Sequence, residues 1–176
     1  LLEGIPVEVA SIEDYPEIPE VVEDGSSFFE NAMKKARLIF DNTGEMVIAD
    51  DSGLEVEYLG GRPGVHSSRY AADDATDEEN NEKLLRELAG VPDDQRWAAF
   101  RCVLILYERG DKYESFEGML KGKIGEEPRG NEGFGYDPVF IVPEYGKTVA
   151  ELGAPIKNRI SHRAVAFQKL KKSLKE

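Results

Sequence analysis

A chain of 176 residues with a formal net charge of −13 is long enough for one good core or two small lobes sharing a sheet. Its charge repels polyanions and so excludes broad nucleic-acid binding, while leaving room for one small phosphorylated ligand in a local basic pocket. No apolar run reaches the roughly 18–20 residues of a membrane span, and the single Cys102 cannot form an internal disulfide, which fits a reduced cytoplasmic setting.

In chain order, Pro6 to Ile12 predicts a short strand with Val7 and Val9 alternating, and the acidic run Glu13 to Asp24, broken by Pro16 and Pro19, predicts a loop. Ser27 and Glu30 have capping-box spacing. They open a helix whose apolar face is Phe28, Phe29, Ala32, Met33, Ala36, Ile39 and Phe40, and Asn42-Thr43-Gly44 ends it. Met46 to Ala49 then reads as a buried strand running straight into Asp50-Asp51-Ser52-Gly53. Gly60-Gly61-Arg62-Pro63-Gly64 must be a loop. Thr76 and Glu79 cap a second helix that passes through Leu84, Leu85 and Leu88 to Gly90.

Trp97 to Tyr107 is apolar at both alternating sets, which predicts a long strand buried on both faces. A turn at Glu108-Arg109-Gly110-Asp111 returns the chain into a partner strand from about Lys112 to Ile124. Frequent glycines from Gly122 to Gly135 predict a loop wrapping a ligand. Asp137 to Pro143 predicts a short strand, and Ser161 caps a last helix bearing Ala164, Val165, Phe167 and Leu170. The class is α/β: an elongated mixed β-sheet with flanking helices, forming two lobes around a central cleft.

Three constellations could carry chemistry. Successive strand residues point to opposite faces, so Asp50 and Asp51 differ in role. One faces a cleft, and the other caps or pins the turn. A cation, an activated water, or both suit the cleft-facing acid; a plain polar turn is the alternative. Gly133-Phe134-Gly135-Tyr136-Asp137-Pro138 lets backbone approach a ligand while a ring stacks on a flat group, or its aromatics simply fill the core. Lys157, His162 and Arg163 surround the last helix's cap at Ser161. Cations in a first turn oppose the helix dipole, so a ligand with a carbonyl oxygen explains them better than helix stability does; a solvated basic patch is the alternative. Ser67-Ser68-Arg69-Tyr70 reads as structural, with Arg69 reaching a phosphate or a carboxylate of the acidic loop as the alternative, and His66 reads as surface. The chain lacks a Walker-type phosphate loop and a Cys/His metal cluster.

Together these runs resemble the inosine triphosphate pyrophosphatase family. The residues carrying the match are Ser27-Phe28-Phe29-Glu30-Asn31-Ala32, Ala49-Asp50-Asp51-Ser52-Gly53-Leu54, Gly60-Gly61-Arg62-Pro63-Gly64, Ser67-Ser68-Arg69-Tyr70, Phe134-Gly135-Tyr136-Asp137-Pro138 and Ile160-Ser161-His162-Arg163. They follow the family's order across nearly the whole chain as a single domain of residues 1–176. The resemblance implies Mg2+-dependent hydrolysis of ITP, dITP and XTP to the monophosphate and pyrophosphate by a cytoplasmic homodimer. It implies Asp51 as general base and metal ligand, Ser52 as a substrate contact, and Phe134, Gly135, Tyr136 and Asp137 as the base pocket. Lys157, His162 and Arg163 would hold the base. Glu23 is the chosen second metal carboxylate, with Glu17 and Glu20 as alternatives.

The family pattern also includes a strand, a Thr/Ser-x-Asn-x-x-Lys loop and a helix before the position of Leu1, roughly 15–20 residues by usual element lengths. Leu1-Leu2-Glu3-Gly4 reads as the tail of that helix. The competing expectation is therefore a catalytically impaired purine-nucleotide-binding paralogue or a truncation.

Overall fold

The structure, a computed structural model, describes residues 8–175. The expected tail of a helix at Leu1–Gly4, and Pro6 and Val7 of the expected first strand, lie outside them. Residues 8–11 are not in a strand, and a short 3-10 turn follows at Ile12–Asp14. The rest of the acidic segment is loop, as its prolines predict.

Helix α1, Phe28–Thr43, starts where Ser27 Oγ accepts from the Glu30 N–H and stops at Gly44, whose φ is 70°. The expected capping box is only half formed, because Glu30 turns its carboxylate to the N–H and hydroxyl of Ser26. Strand β1, Val47–Val56, is longer than expected. It continues through the two acids and Gly53, hydrogen-bonded to β2 throughout, so the acids sit mid-strand and not at a turn. Gly53 serves close approach: a Cβ there would meet the Gly64 carbonyl at 2.5 Å and Ser67 Oγ at 2.6 Å.

Helix α2, Asp77–Glu87, carries the full Thr76/Glu79 capping box. Strands β2, Trp97–Glu108, and β3, Lys112–Ile124, form the long antiparallel pair. The loop expected from Gly122 starts after Ile124. Gly122 remains in β3, paired with Ala98, and is glycine because a Cβ there would strike the Ile141 carbonyl and the Phe140 ring at 2.4 Å. Strands β4, Phe140–Val142, and β5, Lys147–Thr148, complete the sheet in the order β1-β2-β3-β4-β5. The expected α/β interleaving of helices with strands is present, but the sheet expected to be mixed is antiparallel in every described pair, because each described strand pairs with its sequence neighbour. Helix α3, Val149–Ile160, breaks at Gly153, whose φ of 72° suits glycine alone, and α4, His162–Ser173, follows directly.

Three cores explain the two lobes. Helix α1 buries Phe28, Ala32, Met33 and Ala36 against Val47, Ala49, Val103 and Ile105 on one sheet face. Helix α4 buries Ala166 and Leu170 against Cys102, Leu104 and Phe116 on the other. Beyond them, Leu54, Val56 and Phe100 enter a separate core with Leu84, Leu88, Ile124 and Phe140. Buried Arg96 ties that lobe together by donating to the carbonyls of Leu88, Ile124 and Gly125. Strand β1 passes from the first lobe to the second at residues 50–54, which places the two acids at the waist. Among the described residues, no helix is long and apolar enough to cross a membrane.

Candidate active site

Alternation along β1 sends Asp50 and Asp51 to opposite faces, as period two requires. Asp51, buried at the waist, faces α1. Its Oδ1 lies 3.1 Å from Lys35 Nζ, and its Oδ2 accepts from Asn31 Nδ2 at 3.2 Å. Lys35 Nζ also lies 3.1 Å from Glu23 Oε1 and donates to the Asp50 carbonyl at 3.1 Å. Burial alone would lower the Lys35 pKa, but the charges and hydrogen bonds of Asp51 and Glu23 outweigh it and raise the value. The Glu23 segment is pinned twice: Asn31 Oδ1 accepts from the Gly25 N–H at 2.8 Å, and Arg69 donates to the Glu23 carbonyl at 2.8 Å. Arg69 therefore reaches the acidic loop through its backbone.

Two carboxylates from distant segments thus converge on one cation, here the Lys35 ammonium. Such a pair supplies the hard oxygen ligands that a divalent metal ion takes from protein carboxylates. Among the described residues no three His, Cys, Asp or Glu side chains gather into a group that could hold a metal ion.

Asp50 points the other way, toward α4. Its Oδ2 accepts from Arg163 Nε at 3.0 Å and from Ser52 Oγ at 2.9 Å. The expectation that the remaining acid pins a turn is therefore replaced: there is no turn, and Asp50 holds Arg163. This resolves the cation in the first turn of α4, whose charge is met by a carboxylate from the sheet.

A cavity of about 350 Å³ opens on this side, with Ser52 in its wall. Phe134, Gly135, Tyr136 and Asp137 line it, as do Lys157, His162 and Arg163, so the structure brings these predicted positions together. The Phe134 ring is 61% exposed, with Lys157 Nζ 4.1 Å and Arg163 Cζ 5.8 Å from its centroid. Lys157 Nζ is hydrogen-bonded to Asp137 Oδ2, which also accepts from the Phe134 N–H at 3.0 Å. Tyr136 contributes a buried ring to the wall while its hydroxyl donates to the Ser67 carbonyl at 2.8 Å. His162 stacks on Phe100 at 5.0 Å and 16°. Burial pushes its pKa down to about 3, with the Arg163 charge adding to the effect, so the ring is neutral near pH 7. Its Nδ1 is buried without a hydrogen-bond partner.

Sequence alone gives no site role to Lys35, nor to Asn31, although Asn31 lies in one of the matching runs. The two lie four residues apart on α1 and so share a face. The available signal is a polar Asn31 within an otherwise apolar stripe, and the structure buries it fully. Nor do the motifs point to Phe100, Asp77 and Asn158 in the cavity wall. They are far apart in sequence, and none sits in a distinctive motif.

The arrangement has clear relatives. The family description matching residues 1–173 is the Ham1 family. The chain is 51% identical over 174 residues to the dITP/XTP pyrophosphatase of Geobacter sulfurreducens, covering 99% of this chain and 87% of that protein. It is 48% identical over 174 residues to the dITP/XTP pyrophosphatase of Bacillus subtilis, covering 99% and 88%. Among solved structures, the Staphylococcus aureus Ham1 protein superposes with a TM-score of 0.90 at 40% identity, covering 96% of this chain and 86% of that one. The HAM1 protein of Coxiella burnetii gives 0.86 at 46% identity, covering 90% and 81%. With a match along almost its whole length, this chain belongs to the Ham1 family.

Proposed function

We propose that this chain hydrolyses non-standard purine nucleoside triphosphates, namely ITP, dITP and XTP, to the nucleoside monophosphate and pyrophosphate, clearing them from the nucleotide pool. The observation that carries the reading is the back-to-back pair on β1. Asp51 meets Lys35 and Glu23, a carboxylate-and-cation set suited to a metal-bound triphosphate, and Asp50 holds Arg163 and Ser52, which line a cavity suited to a flat base. The two subsites thus lie on opposite faces of one strand, at adjacent residues.

Water attacks the α-phosphorus, the bond from that phosphorus to the bridging oxygen breaks, and pyrophosphate leaves with the electron pair. Asp51 orients the water and receives its proton. Lys35 and Asn31 fix the carboxylate, and the Lys35 ammonium offsets negative charge where the triphosphate sits. Magnesium held by Asp51 and Glu23 would supply further neutralisation of the phosphate oxygens.

In the cavity, the base lies against Phe134. Arg163 or Lys157 donates to the carbonyl that hypoxanthine and xanthine carry at position six. Adenine presents an amino group there, which cannot accept from these cations, so a charge-assisted hydrogen bond worth roughly 1.5–3 kcal/mol is lost. Sites built on such bonds can reject a mismatched analogue by up to roughly 10⁴-fold. The reading places the enzyme in the cytoplasm as a homodimer, which light scattering in solution would test.

The deciding assay is pyrophosphate release from dITP, XTP, dATP and dGTP, with magnesium or with EDTA. Rapid magnesium-dependent release from dITP and XTP supports the reading. Equal release from all four, or binding of dITP without release, would overturn it.

A further inference from the structure

Helix α2 grips two segments of the cavity wall. The N–H of Gly135 donates to Asp77 Oδ2 at 2.6 Å, and its carbonyl accepts from Asn81 Nδ2 at 2.8 Å. Both polar backbone groups of one residue are thus held by side chains one helical turn apart. Asn81 Nδ2 also donates to the Asp77 carbonyl at 2.9 Å, which locks the amide in place. The adjacent Asn80 holds the other segment, donating to the Ser68 carbonyl at 3.0 Å and accepting from the Ala71 N–H at 2.8 Å. Ser68 and Gly135 both line the cavity.

The gripped loop needs outside support. Gly133 and Gly135 have φ values of 85° and 60°, and residues 133–135 form no helix or strand. Glycine loses much conformational freedom on ordering, so a loop built this way holds one shape only if its polar groups are tied. The ring of Phe134 lies between these glycines.

We propose that Asp77 and Asn81 are positioning residues for base recognition, holding Gly135 so that Phe134 and Asp137 stay aligned with Lys157 and Arg163. The inference rests on the reading of the cavity as the base subsite. The bonds described for both side chains go to Gly135 and to α2 itself, away from the Asp51 cluster. Their loss therefore acts on base binding and discrimination, and the step that breaks the phosphoanhydride is spared.

The test compares Asp77→Ala, Asp77→Asn and Asn81→Ala with the exposed control Glu78→Ala. kcat and KM are measured for dITP and dATP, with melting temperatures alongside. Asp77→Ala is expected to raise the KM for dITP about tenfold, the scale of one charge-assisted hydrogen bond. Its kcat stays within about threefold, and the preference for dITP over dATP falls. Asp77→Asn recovers most of the loss, because an amide oxygen still accepts from the Gly135 N–H. A role limited to the charge at the start of α2 would leave Asn as poor as Ala. That outcome, or unchanged KM and preference in both alanine variants, would overturn the proposal. Wild-type release of pyrophosphate tests the reading of the site separately. The same variant-to-wild-type ratios, taken by calorimetry with a non-hydrolysable α,β-imido analogue of dITP, test the positioning role whatever the turnover.

Discussion

Asp50 Oδ2 accepts from Arg163 Nε at 3.0 Å, while the carbonyl of the same Asp50 accepts from Lys35 Nζ at 3.1 Å. A single residue of β1 thereby holds two cations on opposite faces of the strand. Its side chain orients the arginine beside the cavity, and its backbone holds the lysine beside Asp51. The Asp50–Arg163 pair is partly open to solvent, so its worth is modest.

Asp50→Asn should lower the preference for dITP over dATP about fivefold, with kcat for dITP nearly unchanged. Arg163→Ala should erode the preference further, and the double variant should be no worse than Arg163→Ala alone. Steady-state kinetics on the four proteins form a double-mutant cycle. Additive losses would show that Asp50 acts without Arg163.

Asp51→Asn removes the proton acceptor and one negative charge from the cluster shared with Lys35 and Glu23. Turnover of dITP should fall by about 10²–10⁴-fold, the range of general-base contributions. Binding of a non-hydrolysable dITP analogue should stay within about fivefold, since the base cavity lies on the opposite face of the strand. Titration calorimetry and pyrophosphate release separate the two. Retained turnover would remove Asp51 from the mechanism.

Phe134 offers an exposed ring bearing two cations, an arrangement with little value to folding and much to a flat ligand. Phe134→Leu should leave the melting temperature within about a degree, because the side chain buries little surface. It should raise the KM for dITP about tenfold, the scale of one base–aromatic stack. An unchanged KM would mean that the base lies elsewhere in the cavity.

His162 gives a stability signature in pH. Its folded pKa, about 3, lies below the ordinary 6.5 because burial disfavours the charged ring. In acid the unfolded chain takes up a proton that the native ring refuses, so stability falls as pH drops below about 6.5. Between pH 7 and pH 5 this one group accounts for a loss of about 2 kcal/mol. Urea unfolding at the two pH values should show that loss in the wild type and a markedly smaller one in His162→Gln. Equal slopes would place the proton uptake on other groups.

Much of the frame was legible from local pattern. The apolar face of α1, the Thr76/Glu79 box, the long β2, buried on both faces from Cys102 to Tyr107 though not from Trp97, and its return as β3 all follow from periodicity and capping chemistry, which act over a few residues. The limits of β1 were not legible. Acid-acid-hydroxyl-glycine looks like a turn until β2 is known to run alongside, and Gly53 looks like a breaker until Ser67 and Gly64 are seen pressed against it.

The sequence by itself determined that Asp50 and Asp51 must part company, because a strand alternates its faces whatever surrounds it. It also determined which motifs would meet in a family-like order. Only the tertiary structure decided what each acid would meet: Lys35 and Asn31 from α1 on one face, Arg163 from α4 on the other. It alone assigned α2 to the loop at Gly135. These partners lie 15 to 113 residues away along the chain. Their encounter is set by helices packing on opposite sheet faces, a long-range consequence of core burial that no local pattern encodes.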